Sequence, residues 1–326
     1  MKTAKLANIA DIQTGPFGSQ LHKEDYVDAG TPIVTVEHLG RRKLSNKNVP
    51  FVSESDAHRL SKYSLEQGDI VFSRVGSVDR CSQVSENEAG WLFSGRCLRV
   101  RPNDSMIDPD YLYYFLTLPK TQEFIRAIAV GATMPSINTS LLGEVDIDLP
   151  PLSEQVGIAK GLGALDDKIA ANSRIIKIAT HLNINLVEKA VTKELEHLQN
   201  LADITMGSSP KGEFLNEEGI GEPFFQGVRD FGELFPSERV FAEKAVRTAQ
   251  EGDILFAVRA PIGEVNIAER PCVIGRGIAA IRGKQSHLGL FYLLKGHPEL
   301  WETYKSSGTV FAGINKSDLH NAVIPV

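Results

Sequence analysis

Apolar residues recur along this chain in short blocks, and the blocks come twice in the same order. Leu6, Asn8, Ile9, Ala10, Asp11, Ile12 and Gly15 return 192 residues later as Leu198, Asn200, Leu201, Ala202, Asp203, Ile204 and Gly207. Gly68-Asp69-Ile70-Val71-Phe72 returns as Gly252-Asp253-Ile254-Leu255-Phe256, and Gly95-Arg96 as Gly275-Arg276. The run from Leu112 to Leu116 matches Leu290 to Leu294, and Ile137-Asn138 matches Ile314-Asn315 at a spacing of 177, so the second copy is shorter, as loop deletions allow. Two long copies do not make a solenoid; they predict a duplicated globular domain. Ile70-Val71-Phe72 and Ile254-Leu255-Phe256, each behind a Gly-Asp turn, read as strands, and the aromatic block from Tyr111 to Leu118 as a short helix. The fold class is α+β: two similar domains of short strands, over residues 1–150 and 198–326.

Residues 151–197, between the copies, carry a different period. Ser153 to Lys193 contains no proline, follows Pro150-Pro151, and has Glu154 in its first turn and Lys193 in its last, which predicts one long helix. Leu162, Leu165, Ile169, Asn172, Ile176, Ala179, Asn183, Leu186 and Ala190 fall in a 3,4 spacing, a coiled-coil seam whose two asparagines favour one register. A second apolar row through Ile158, Ile175, Ile178 and Leu182 widens the stripe. At 1.5 Å per residue the helix would span ~60 Å and act as a spacer. Gly157, Gly161 and Gly163 each cost ~1 kcal/mol of helix propensity, which close approach of a partner helix would explain. The alternative is a helix lying on its own domains, with a break at the glycines.

Composition adds exclusions. The 326 residues suit two domains, and 42% apolar with 23% charged residues is globular. No apolar run approaches the ~18 residues of a membrane helix, and the start lacks a secretory signal, so a cytoplasmic location and no membrane partner are expected. Cys81, Cys97 and Cys272 are too few and too far apart for a disulfide framework or a zinc site, and read as buried thiols. There is no GxxxxGK[ST], GxGxxG or GxSxG, the GxG at Gly161 lies inside the predicted helix, and no two histidines have helical metal-site spacing. The tetrapeptides nearest to an amino-methyltransferase motif, Asp108-Pro109-Asp110-Tyr111 and Asp148-Leu149-Pro150-Pro151, have the wrong residue or order. Direct inspection yields no catalytic residue, no metal ligand and no cofactor site.

Gly15 to Tyr26, with Leu65 to Arg74, Phe224 to Arg229, the two Ile-Asn pairs and Pro150-Pro151-Leu152-Ser153-Glu154-Gln155, resembles the target recognition domains and central conserved helix of type I restriction-modification specificity subunits. The resemblance covers nearly the whole chain. It implies a non-catalytic subunit reading a split double-stranded DNA target, one half per domain, with long helices holding the halves apart. It also implies docking of methyltransferase subunits, which use S-adenosylmethionine on adenine, and of restriction subunits driven by ATP with Mg. Family members close with a second conserved helix where this chain ends, so self-association through the central helix is expected. A coiled-coil scaffold with protein-binding ends is the alternative.

DNA binding needs cations on phosphates and side chains at base edges. Lys23, Arg41, Arg42, Lys43, Arg74, Arg80, Arg96 and Arg99 are the candidates in the first copy, and Arg229, Arg259, Arg270 and Arg276 in the second. Arg74 with Arg259, and Arg96 with Arg276, are expected at equivalent places, as shared phosphate contacts. Base readers are expected where the copies diverge, at residues 20–23, 38–47 and 227–233. The net charge of −6 is divided equally between the two domains, which predicts a polarised surface on each and weak DNA affinity for the isolated chain.

Overall fold

The computed structural model describes residues 2–16, 20–192, 194–305 and 313–326, with the side chains of Lys23 and Lys305 outside the description. They form two compact units, Met1–Lys168 and Ile169–Val326. The first contains two four-stranded sheets. One runs Ala10–Thr14, Cys97–Pro102, Ile70–Ser73, Cys81–Gln83, all antiparallel; the other runs Tyr26–Val27, Phe51–Val52, Thr31–Val34, Leu92–Phe93, its last pair parallel. Every residue of Ile70–Ser73 is buried because both faces of the strand are covered. Period 2 sorts its side chains: Ile70 and Phe72 join the core with Leu112, Leu116 and Ile125 of the helices, while Val71 joins Ile33, Val34, Leu92 and Phe93 of the second sheet.

The second unit repeats this layout and its register, with a fifth strand, Thr248–Ala249, added to the second sheet. Ile12 faces Val100 as Ile204 faces Ile281, and the parallel pairs Val34 with Phe93 and Phe225 with Ile274 correspond. The Gly-Asp turns are structural. Gly68 and Gly252 have φ of +89° and +83°, the left-handed region where a side chain is strained. Asp69 and Asp253 are buried, accept the backbone N–H of Glu66 (2.8 Å) and Gln250 (2.7 Å), and pair with Arg101 (2.8 Å) and Arg282 (2.7 Å). Asn138 and Asn315 cap the helices Thr139–Gly143 and Lys316–Asn321, accepting from Leu141 N (2.8 Å) and Asp318 N (2.9 Å), behind a buried isoleucine each.

The predicted long helix runs Leu152–Ala190. It stops short of Lys193, which lies outside the described residues, because Thr192 N donates to Val326 O (2.6 Å) and Leu195–His197 pairs as a strand with Val323–Pro325. The aromatic block forms the helix Pro109–Leu116, started by Asp108, whose carboxylate accepts from Tyr111 N (2.9 Å). All three cysteines are free and buried, and burial pushes each thiol up to about 12. A thiol that stays protonated is a poor nucleophile. A disulfide exchange reagent at pH 8 should therefore leave the native protein unlabelled and titrate all three thiols only after denaturation; rapid native labelling would show that the cores open.

Candidate nucleic-acid interface

The parallel pair places two turns side by side at its end, because parallel strands finish at the same edge of a sheet. In the first unit these are Thr35–His38 and Ser94–Arg96, joined where Ser94 N donates to Val34 O (2.8 Å). With residues 21–26 they enclose a cleft of about 850 Å³, lined among others by His22, Glu37, His38, Asn48, Arg74 and Arg96. His38 Nδ1 accepts from Thr35 N (3.1 Å), which stiffens the first turn, and the Arg74 guanidinium donates to Gly95 O (3.0 Å), which holds the second. Arg74 N also donates to Arg96 O (2.8 Å), and Arg74 O accepts from Ile137 N (3.0 Å), so this arginine braces the wall of the cleft. Arg96 stands exposed at the rim. Gly15 lies against the same turn, where a Cβ would meet Ser94 O at 2.2 Å, and its repeat Gly207 would meet Gly275 O at 2.2 Å. That close approach is the physical reason for this repeated glycine.

In the second unit the corresponding turns are drawn together. Gly275 N donates to Phe225 O (2.9 Å), Gly277 N to Gln226 O (3.1 Å), and Ser209 Oγ to Gln226 Oε1 (2.6 Å). Arg229 and Arg276 are exposed on these turns, and Arg259 is exposed at the end of the strand Ile254–Ala257.

Several expected roles change. Arg74 and Arg259 are not equivalent: the backbone bond of Arg74 N to Arg96 O is repeated by Val258 N to Gly277 O (3.0 Å), while Arg259 bridges Gly313 as Val75 bridges Ser136. By the same bonds Arg276 occupies the place of Gly95, and Gly277 that of Arg96. A shift of one residue on an extended chain turns a side chain to the opposite face, so the two pairs cannot be shared contacts. Arg99 is a correction of another kind: it is 5% exposed, lies between the sheets and pairs with Asp11. Arg42 is half-buried and turned onto the central helix, pairing with Asp167 (3.1 Å). Arg41 is exposed and pairs with Asp166 (3.3 Å) of the same helix.

The remaining candidates are scattered. Arg80 donates to Leu39 O, Arg270 is held by both carboxylate oxygens of Glu238, and Lys43 lines a separate cleft of about 510 Å³ with Asp104, Asp108 and Asp110. Thr35, Glu37 and Asn48 were not expected in a site. Asn48, with φ of +56° ahead of Val49-Pro50, carried a turn signal that could have located it.

The helix seam is exposed at Leu162, Leu165, Ile169, Asn172, Ile176, Ala179 and Leu186, with Asn183 half-buried. The packed face of its first half is different: Gln155, Ala159 and Gly163 are buried against the first unit. Gly163 does have a close neighbour, but it is Arg42 Nη2, 3.3 Å from where a Cβ would stand, and Gly157 and Gly161 face open space. A partner helix is therefore not what the glycine at 163 accommodates. Among the described residues no His, Cys, Asp and Glu group could hold a metal, and no helix is long and apolar enough to cross a membrane.

The sequence matches the family described as type I restriction modification DNA specificity domain over residues 1–180 and 191–326. It is 32% identical over 334 aligned positions to a Methanocaldococcus jannaschii chain described as the specificity subunit of type I restriction enzyme MjaX, covering 93% of this chain and 78% of that one. To the EcoKI specificity subunit of Escherichia coli it is 24% identical over 263 positions, 72% of this chain and 55% of that one. Its fold is similar to the crystal structure of a type I restriction-modification S subunit from M. genitalium, with a TM-score of 0.61 at 18% identity, over all of this chain and 84% of that chain.

Proposed function

The chain belongs to the type I restriction-modification DNA specificity family, and from that premise we propose that it reads a split double-stranded target with two recognition domains. As a specificity subunit it is non-catalytic. Residues 1–150 and 198–326 are the recognition domains in this reading, and residues 151–197 the spacer between them. The observation that carries it is the pair of turns at the end of the parallel strands, built twice from the same register and bordered by different polar side chains: His22, Glu37, Asn48 and Arg96 in one unit, Ser209, Gln226, Arg229 and Arg276 in the other. Identical scaffolds with different polar side chains suit two different half-sites, because base edges are discriminated by donor and acceptor pattern.

Methyltransferase subunits supply S-adenosylmethionine chemistry on adenine and restriction subunits supply ATP- and Mg-dependent chemistry in this reading, with assembly in the cytoplasm. Mapping adenine methylation in a host with and without the gene tests it: a split motif that disappears with the gene is expected, and an unchanged methylation pattern would overturn it. The scaffold alternative predicts no competition by duplex DNA in a gel-shift assay. Arg96→Ala is expected to weaken binding to all duplexes alike and to lower the salt slope by about one unit, as loss of one phosphate contact does. An unchanged slope would remove Arg96 from the phosphate contacts.

A further inference from the structure

The loop between Leu39 and Leu44, closed by a backbone bridge, belongs to a segment where the two copies diverge, yet its central arginine is bound to the central helix. Arg42 adopts φ of +62°, uncommon for a side-chain-bearing residue, and its own N–H donates to Tyr113 Oη (2.6 Å). Its guanidinium donates to Gly163 O (3.3 Å) and Asp167 (3.1 Å) of the central helix and lies 5.8 Å from the centre of the Tyr114 ring. Tyr114 Oη in turn donates to Asp166 (3.0 Å), the partner of Arg41. Either exposed ion pair alone would be weak. Here a planar fork, a ring face and a carbonyl act on one group, and a lysine could not satisfy all three.

We propose that Arg42 is a positioning residue, which fixes the divergent loop 39–44 of the first domain against the first half of the central helix and thereby sets the half-site spacing the protein accepts. The proposal rests on the DNA-reading function above. The leverage is large: a tilt of about 6° at Gly163 moves the far end of the remaining helix, roughly 40 Å away, by about 4 Å. One base pair rises only ~3.4 Å. In the second unit the corresponding divergent segment is also tied to this helix, with the charges reversed, by Glu233 on Lys177 (3.0 Å). A basic loop on an acidic stretch and an acidic loop on a lysine give each domain its own seat.

The test is methylation mapping in a host expressing the full chain with its methyltransferase, comparing wild type with Arg42→Ala, Arg42→Lys and Asp167→Ala. Wild type should methylate one spacing. Arg42→Ala should lower discrimination against spacings one base pair longer or shorter by about tenfold, the effect of one charge-assisted hydrogen bond, with both half-site sequences unchanged. Arg42→Lys should recover part of the loss, and Asp167→Ala, which leaves the loop and its arginine intact, should relax spacing in the same direction. Unchanged spacing in Arg42→Ala and Asp167→Ala would overturn the proposal, as would relaxed base identity at unchanged spacing, which would make Arg42 a base reader. If Arg42→Ala gives no methylation, the Asp167→Ala spacing decides. A wild type that methylates no split motif would overturn the DNA-reading function itself.

Discussion

Asp69→Ala is expected to lower the stability of the first unit by about 3 kcal/mol, because removing one partner of a buried ion pair strands the other. The carboxylate is 1% exposed and does two things at once: it closes the turn through Glu66 N and receives the Arg101 fork at 2.8 Å from both Nε and Nη2. Arg101 has further partners in Ser64 O and Glu66, so the loss spreads to the loop entering the strand Ile70–Ser73. Asp253→Ala, at the repeated position, should cost less, since Arg282 is 42% exposed and rehydrates when released, against 28% for Arg101. Calorimetry or denaturant titration of both variants checks this. A loss below about 1 kcal/mol for Asp69→Ala, the range of a surface pair, would show that the turn is held by backbone bonds alone.

We propose that the exposed seam of the central helix pairs with a second copy, and the double substitution Leu165→Glu with Ile169→Glu is then expected to abolish that self-association. Both residues are half-exposed or more, at 60% and 50%, in a row that continues through Ile176 and Leu186. Burying such side chains against a second helix contributes ~1.5–3 kcal/mol each, so replacing two on each of two chains should weaken association by well over a hundredfold. Light scattering should find wild type larger than one chain at micromolar concentration and the variant at one chain. A monomeric wild type would sink the idea, and an equally large variant would place the contact elsewhere. Neither substitution touches the packed face formed by Gln155, Ala159 and Gly163, so the first unit should keep its melting temperature.

Much of this architecture was legible in order and kind. Repeated blocks announced two like domains, absence of proline with heptad spacing announced the helix, and a Gly-Asp pair before an apolar run announced a strand. These are local signals: a positive φ, a missing N–H or an apolar period acts within a few residues of itself. Cation roles were far less legible. Arg74, Arg96, Arg99 and Arg101 lie on neighbouring strands or turns, yet one braces a cleft, one stands at its rim, one is buried between sheets and one closes a turn. Nothing in the residue type or its neighbours separates them.

Composition and periodicity therefore settled the duplicated α+β plan and the long helix, because each follows from the chain's short-range conformational preferences and from where apolar surface must go. Register, which pairs residues far apart in the chain, decided the rest. It moved Arg259 to the place of Val75 and set Arg42 against the helix. It also set two turns side by side at the end of a parallel pair, because a strand's partner fixes which face and which edge a side chain occupies.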